Sequence, residues 1–198
     1  MILKKRMFIT VVLLIGLLAA CGKQQLEKPD DYNFEVQNFT YKNQDGKSGS
    51  LEDLKGEVWI ADFIFTSCNT VCPPMTNNMA RLQKAIKEEG LKDVQIVSFS
   101  VDPKVDTPEK LKAFSQKFNA DFSNWHFLTG YPQEEIESLA RDSFKTTVLK
   151  TEQSDQVTHG TSFYLVDQSG TVVTKYDGTK RSDEKDKEVI KDIKALQQ

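Results

Sequence analysis

Apolar positions along this chain switch between a period of two and a helical period, and the switches mark out an ordered series of strands and helices. Residues 33–49, NFEVQNFTYKNQDGKSG, alternate as a hairpin does, with its turn at Asp45-Gly46. Residues 57–65, EVWIADFIF, are almost continuously apolar, the pattern of a strand buried on both faces. Beyond Pro73 and Pro74, Met75, Met79, Leu82 and Ile86 recur at helical spacing, and Gly90 offers the left-handed conformation that ends a helix. Residues 94–101, VQIVSFSV, read as a second central strand. Thr107, Pro108 and Glu109 provide an N-cap, a proline at the first helical position and an acid in the first turn of a helix carrying Leu111, Phe114 and Phe118. NWHFLTG (124–130) predicts a short strand, and Pro132 opens a helix with Ile136, Leu139 and Ala140 inward. SFYLVDQSGTVVTKYDG (162–178) gives two strands joined at Gln168-Ser169-Gly170, and a helix from Ser182 points Val189, Ile190, Ile193 and Leu196 inward.

The order is therefore a hairpin, β-α-β-α-β-α, a second hairpin and a final helix. Alternating strands and helices imply parallel pairing with crossovers, while the late hairpin adds antiparallel strands, so a central mixed sheet flanked by helices is expected. The α/β arrangement resembles the thioredoxin fold with insertions and an N-terminal β-hairpin. No repeat or second linker interrupts residues 32–198, which read as one domain.

Composition agrees with a globular domain: 38% of the 198 residues are hydrophobic and 28% charged. A net charge of −3 supplies no basic field to hold phosphates, which argues against nucleic acid as a partner. The N-terminus departs from this composition. Lys4, Lys5 and Arg6 precede an apolar run from Met7 to Ala20 that is shorter than the roughly 20 residues a membrane span needs, so residues 1–20 read as an export signal peptide. Leu18-Ala19-Ala20-Cys21 resembles the lipobox of bacterial lipoproteins, in which the cysteine thiol takes a diacylglycerol before cleavage; an ordinary signal peptide with an incidental cysteine is the alternative. Residues 21–31, beginning at Cys21, then form a lipidated polar tether. This places the domain on the extracytoplasmic face of the bacterial membrane, where disulfides are permitted.

The other two cysteines stand in FTSCNTVCPPM (65–75). Pro73 disfavours helical geometry at Cys72, so the helix proper is expected to begin near Pro74 with both sulfurs in the loop facing its positive end. Such a site favours thiolate, the form that attacks disulfides and binds metals. Three residues separate the pair, one more than in a typical exchange couple; the loop can open around an ion or close into a disulfide. A permanent disulfide fits less well, because so short a loop gains little from cross-linking. Asp62, inside the apolar strand six residues before Cys68, has the offset of the buried aspartate of thioredoxin. It can relay protons to the thiols, with burial raising its pKa, or simply be tied to a hydroxyl or backbone donor. Met75 and Met79 share the apolar stripe of their helix and read as core rather than soft ligands. His126, between Trp125 and Phe127, reads as structural, and Asp102-Pro103 as a turn at the carboxyl end of a strand, where partners of α/β proteins dock.

DFIFTSCNTVCPPM (62–75), followed at distance by VTHGTSF (157–163), resembles the Sco/SenC family of copper proteins, from about Tyr32 to the end of the chain. The resemblance implies copper delivery to the binuclear copper centre of cytochrome c oxidase during its assembly. It makes His159, in a loop before a strand, a ligand beside Cys68 and Cys72; without it, a lone loop histidine is as readily a solvated one. Two thiolates suit Cu(I) and an added imidazole suits Cu(II), although zinc accepts the same ligands. Thr161 occupies the position of the thioredoxin cis-proline, so the loop that presents backbone to a disulfide substrate is altered. The implied partners are the oxidase subunit carrying the copper centre, a copper donor and a thiol reductant, with the membrane reached through the lipid anchor. The competing reading is an extracytoplasmic thiol–disulfide oxidoreductase acting on that subunit or on other exported proteins. A peroxiredoxin is disfavoured, since Thr66 stands two residues before Cys68 rather than three. The mature native protein is expected to begin at a lipidated Cys21, which intact-mass measurement checks; a chain retaining residues 1–20 would refute the lipobox.

Overall fold

Seven successive buried side chains in the second apolar run dictate where the sheet must lie: a strand apolar on both faces needs a layer on each side and a partner at each edge. The computed structural model describes residues 32–151 and 154–198; the signal peptide and the lipidated tether expected above lie outside them. In chain order the elements are β1 (Phe34–Glu35), β2 (Thr40–Lys42), β3 (Ser48–Ser50), a 3-10 turn (Glu52–Leu54), β4 (Val58–Ile64), α1 (Cys72–Glu88), β5 (Val94–Ser100), α2 (Pro108–Gln116), β6 (Trp125–Leu128), α3 (Gln133–Phe144), β7 (Val148–Lys150), β8 (Val157–His159), β9 (Ser162–Val166), β10 (Thr171–Asp177) and α4 (Asp183–Leu196).

Six of these strands form one sheet in the order β1-β10-β9-β4-β5-β6. β4 pairs in parallel with β5, and β5 with β6, whereas β9 joins the other edge of β4 antiparallel. The expected mixed sheet is thus present, with β4 at its centre. One face is an aromatic layer. Trp59, Phe63 and Phe99 meet Phe144 of α3, and Phe39 and Tyr41 of the β2–β3 hairpin close over Phe99. Ile60, Asp62 and Ile64 point to the opposite face and are equally buried, and α1 and α4 pack against each other. These two helices are held together by Arg81, which pairs with Asp183 and Asp186, while the Tyr176 hydroxyl donates to Asp192 of α4.

Two local expectations change. The hairpin predicted over 33–49 is shorter: only β2 and β3 pair, turning through Gly46 at φ +71°, while β1 leaves to pair with β10. The alternation in residues 33–36 is that of an edge strand and holds no information about its partner. The second difference is a two-stranded hairpin, β7–β8, in a stretch that the apolar pattern leaves unassigned; its strands are three residues each and only half apolar, too short to show a period.

Helix ends follow their capping chemistry. The Thr107 hydroxyl accepts from the Lys110 amide at 3.4 Å, and Ser182 caps α4 in the same way. Gly90, at φ +67°, closes α1 while the Leu91 amide reaches back to the Ile86 carbonyl. Among the described residues no helix is long and apolar enough to cross a membrane.

Inside α1, Asn78 is buried and donates to the carbonyls of Gly178 (2.8 Å) and Thr179 (3.1 Å), and the Gly178 amide in turn donates to the Thr161 carbonyl at 2.8 Å. Asn78→Ala leaves those carbonyls without their donor and is expected to cost about 1–3 kcal/mol, read from urea denaturation. A change below about 0.3 kcal/mol would mean that water replaces the amide.

Candidate metal centre

The parallel strands β4, β5 and β6 end at the same edge of the sheet, and the chain leaves β4 there through Phe65 and Thr66 into the cysteine turn. The Cys68 amide donates to the Phe65 carbonyl at 3.2 Å, which folds the turn back toward α1. Cys72 is the first residue of α1, not a loop residue as expected, with Pro73 and Pro74 in the first turn behind it. Prolines are accepted there because the first amides of a helix lack partners within it. The Cys72 amide, one of those orphans, donates to Cys68 Sγ at 3.3 Å.

This placement makes the two thiols unequal. Burial pushes Cys68 up, but hydrogen bonds from the Cys72 thiol and amide and from Thr70 outweigh it and leave Cys68 below the ordinary thiol value. Burial, followed by its hydrogen bond to Cys68, drives Cys72 well above that value. The thiolate expectation therefore holds for Cys68 alone. Both are free thiols.

His159 comes from the far side of the sequence. It is the last residue of β8 rather than part of a loop, paired across the hairpin with Val148. Its Nδ1 lies 2.9 Å from the Gly160 carbonyl, which can only accept, so the proton sits on Nδ1 and Nε2 is left unprotonated. That nitrogen is 3.4 Å from Cys72 Sγ. Burial lowers the imidazole pKa against the opposing effect of the Gly160 bond, which keeps the ring neutral and ligand-competent. The Phe65 ring meets the imidazole edge-on at 5.7 Å and limits its swing.

Cys68, Cys72 and His159 are thereby brought together, with one ligand atom from each within 4.8 Å of the others. Three ligands about 2.2 Å from a shared ion stand about 3.8 Å apart in a trigonal plane, so two sulfurs and a nitrogen at this spacing fit a soft ion with small adjustments.

The hairpin that carries His159 is pinned at several points. Lys150 Nζ pairs with Asp102, which is almost fully buried, at 2.5 Å, and the Lys150 amide donates to Glu137 at 3.3 Å. Asp102 is thus an anchor for the histidine arm as well as the turn residue expected. Gly160 has no room for a side chain, because a Cβ would fall 2.1 Å from Thr146 Oγ1. The carbonyl of Thr161, the residue at the cis-proline position, is already engaged by Gly178.

The other candidates separate cleanly. Met75 and Met79 are wholly buried in the core, and His126, which bonds to Gln95 at 3.1 Å, does not belong to the cluster. Asp62 is fully buried and accepts from Ser98 Oγ, which itself receives the Trp125 indole N–H at 2.9 Å. Its second oxygen has no partner. Burial, only partly offset by Ser98, pushes its carboxyl up to about 7. Sequence reading missed Thr66 and Asp106, whose side chains join at the base of the cysteine turn. The one trace was an aspartate just before the N-cap Thr107, which is common at helix starts and says nothing of a residue forty positions away.

A sequence model of the SCO1/SenC family matches residues 27–198. Among solved structures, a SCO1/SenC family lipoprotein from Bacillus anthracis superposes with a TM-score of 0.81 at 52% identity, covering 88% of this chain and 99% of that one. BsSco, a member of the Sco family of cytochrome c oxidase assembly proteins in which a disulfide switch is identified, gives 0.77 at 52% identity over 86% and 97%. Copper-bound ScoI of Arabidopsis thaliana gives 0.69 at 31% identity over 80% and 97%.

The proton held by native Asp62 is released by the unfolded chain above about pH 4, so stability should fall as pH rises from about 4 to 7, by about 4 kcal/mol in all. Asp62→Asn keeps a partner for Ser98 and should flatten this dependence. Urea midpoints at pH 5 and pH 8 provide the comparison, and equal slopes in both proteins would exclude Asp62 as the titrating group.

Proposed function

Because this chain belongs to the SCO1/SenC family, whose members take part in cytochrome c oxidase assembly, we propose that it is a metallochaperone carrying copper to the binuclear copper centre of the oxidase. Cys68, Cys72 and His159 hold the ion. The observation that carries this reading is the convergence of two thiol sulfurs and one unprotonated imidazole nitrogen, Nδ1 being spent on Gly160. Copper is the cargo rather than a resident cofactor, and the donor set suits its softer state, with the imidazole allowing the harder one.

Each side chain has a separate task. Cys68, already inclined to thiolate, offers the first sulfur at the mouth of the turn. Cys72 gives up its proton on ligation and supplies a sulfur anchored in α1. His159 closes the site from β8, and the Lys150–Asp102 pair holds its arm in place. Loss of two electrons and two protons from the thiols to an external disulfide would join Cys68 to Cys72, and the joined sulfurs lose the charge that binds the ion. The pair therefore gates loading by its redox state. In this proposal the chain acts from the extracytoplasmic membrane surface, held by lipid on Cys21, with a copper donor, a thiol reductant and the oxidase subunit as partners.

A second reading keeps the same residues and changes the task. The unequal thiols suit an exchange couple in which Cys68 attacks and Cys72 resolves, acting on the oxidase subunit's cysteines. His159→Ala discriminates, since exchange needs no imidazole. Titrating the reduced full-length protein in detergent with Cu(I) and Cu(II) should show one tightly bound ion. The His159→Ala protein should bind at least about a hundredfold more weakly, exceeding the 10–100-fold typical for loss of an outer partner of a ligand, while still forming and reducing its disulfide. In cells the same variant should fail to assemble active oxidase. Normal oxidase assembly without His159 would refute the chaperone and favour the thiol enzyme.

A further inference from the structure

The carboxylate of Asp106 is buried, yet it touches neither cysteine nor His159, and all its bonds go to the frame around them. Oδ1 accepts from the Thr66 hydroxyl at 2.5 Å, and both oxygens accept from the Thr66 amide, at 3.3 and 3.2 Å. Oδ2 also accepts from the Ser100 hydroxyl at 2.7 Å. The Asp106 amide donates to the Asp102 carbonyl at 2.9 Å, and its carbonyl accepts from the Thr129 hydroxyl at 2.7 Å. One residue therefore ties together the carboxyl ends of all three parallel strands: Thr66 lies two residues past β4, Ser100 ends β5, and Thr129 follows β6. Hydrogen bonds to a carboxylate are roughly twice as strong as neutral ones, so these contacts stiffen that edge.

Thr66 stands two residues before Cys68, and Phe65 next to it accepts the Cys68 amide. Asp106 thus grips the base of the cysteine turn. Asn69 and Thr70, farther along the turn, are exposed. A Cys68–Cys72 disulfide requires the sulfurs to close to about 2.05 Å. Cys72 is fully buried in the first turn of α1, and Thr76 donates to its carbonyl at 2.9 Å, so the approach must come from Cys68 and its turn. That turn is hinged on Thr66. A bound soft ion instead takes the sulfurs apart, at a separation that asks nothing of the hinge.

We propose that Asp106 is a positioning residue of this site, clamping Thr66 so that the cysteine turn is held in its open dithiol form and the pair is biased against its own disulfide. The proposal rests on the reading of Cys68 and Cys72 as a redox-gated ligand pair, and it assigns the bias of that gate to a residue outside it.

The test uses the full-length chain in detergent and three variants: Thr66→Val, which removes only the hydroxyl, Asp106→Asn, which replaces one acceptor with a donor, and the double variant. Each is equilibrated in glutathione buffers, where two thiols pass two electrons and two protons to oxidised glutathione and yield the protein disulfide and two reduced glutathiones. The oxidised fraction at Cys68 and Cys72 is counted by alkylation and mass spectrometry. Each single variant should shift the equilibrium about tenfold toward the disulfide, about 30 mV for a two-electron couple. The double variant should shift it no further than the larger single one, because both changes break the same contact. A merely structural role would lower the urea midpoint and leave the couple where it was, which overturns the proposal, as do fully additive shifts or a shift toward the dithiol. If Asp106→Asn does not fold, Thr66→Val decides alone by the same criterion. The glutathione equilibrium contains no metal, so failure of the wild-type protein to bind copper would remove the chaperone reading and leave this result to stand separately.

Discussion

The candidate metal centre depends on β4 being buried on both faces and paired at both edges. A one-residue slip would swap the side chains packed in the aromatic layer with those under the helices, and neither set is shaped for the other's space. The aromatic layer on one side and the helices on the other therefore fix where Ile64 ends, and with it where Phe65, Thr66 and Cys68 begin. Because β5 and β6 run parallel to β4, the residues that brace this exit, Ser100 and Thr129, arrive at the same edge. The turn needs no regular structure of its own. It inherits its position from the sheet.

The unequal thiols follow from one residue's difference in placement. Cys72 lies inside the first helical turn and is wholly buried, whereas Cys68 stands outside it, receives the orphan amide of Cys72, and keeps some access to solvent. A helix start thus favours the thiolate of the sulfur it faces, not of the one it contains. This serves either proposed role, since a ligand pair and an exchange couple both need one sulfur ready and one held in reserve.

His159 is set by a different device. Its strand belongs to a small hairpin outside the main sheet, and two three-residue strands that bury only Val148 and Val157 do little to hold it against the site unaided. It is braced by the Lys150–Asp102 pair at one end and, at the other, by the relay from Asn78 through Gly178 to Thr161. Both braces reach elements already packed on the sheet, so the imidazole is positioned by the same core that positions the thiols. The close approach of Thr146 explains why a glycine must follow it.

Most of the fold was legible along the chain. Strong apolar periods gave β4, β5, β9, β10 and the four helices, and capping chemistry gave their ends at Thr107, Ser182 and Gly90, because those signals act over a few residues and require no knowledge of what lies opposite. The cysteine pair and His159 were legible too, as a spacing and a family likeness. What the sequence by itself determined, then, was which residue types stand where along each element. Tertiary structure alone decided that β1 pairs with β10, that Cys72 belongs to α1 despite the proline after it, that His159 ends a strand with its lone pair turned to Cys72, and that Asp106 grips Thr66. Each of these is a contact between segments far apart in the chain, or a choice between nearly equal local conformations. Such choices are made by packing and by the need of every buried polar group for a partner, and neither is written in any short stretch of residues.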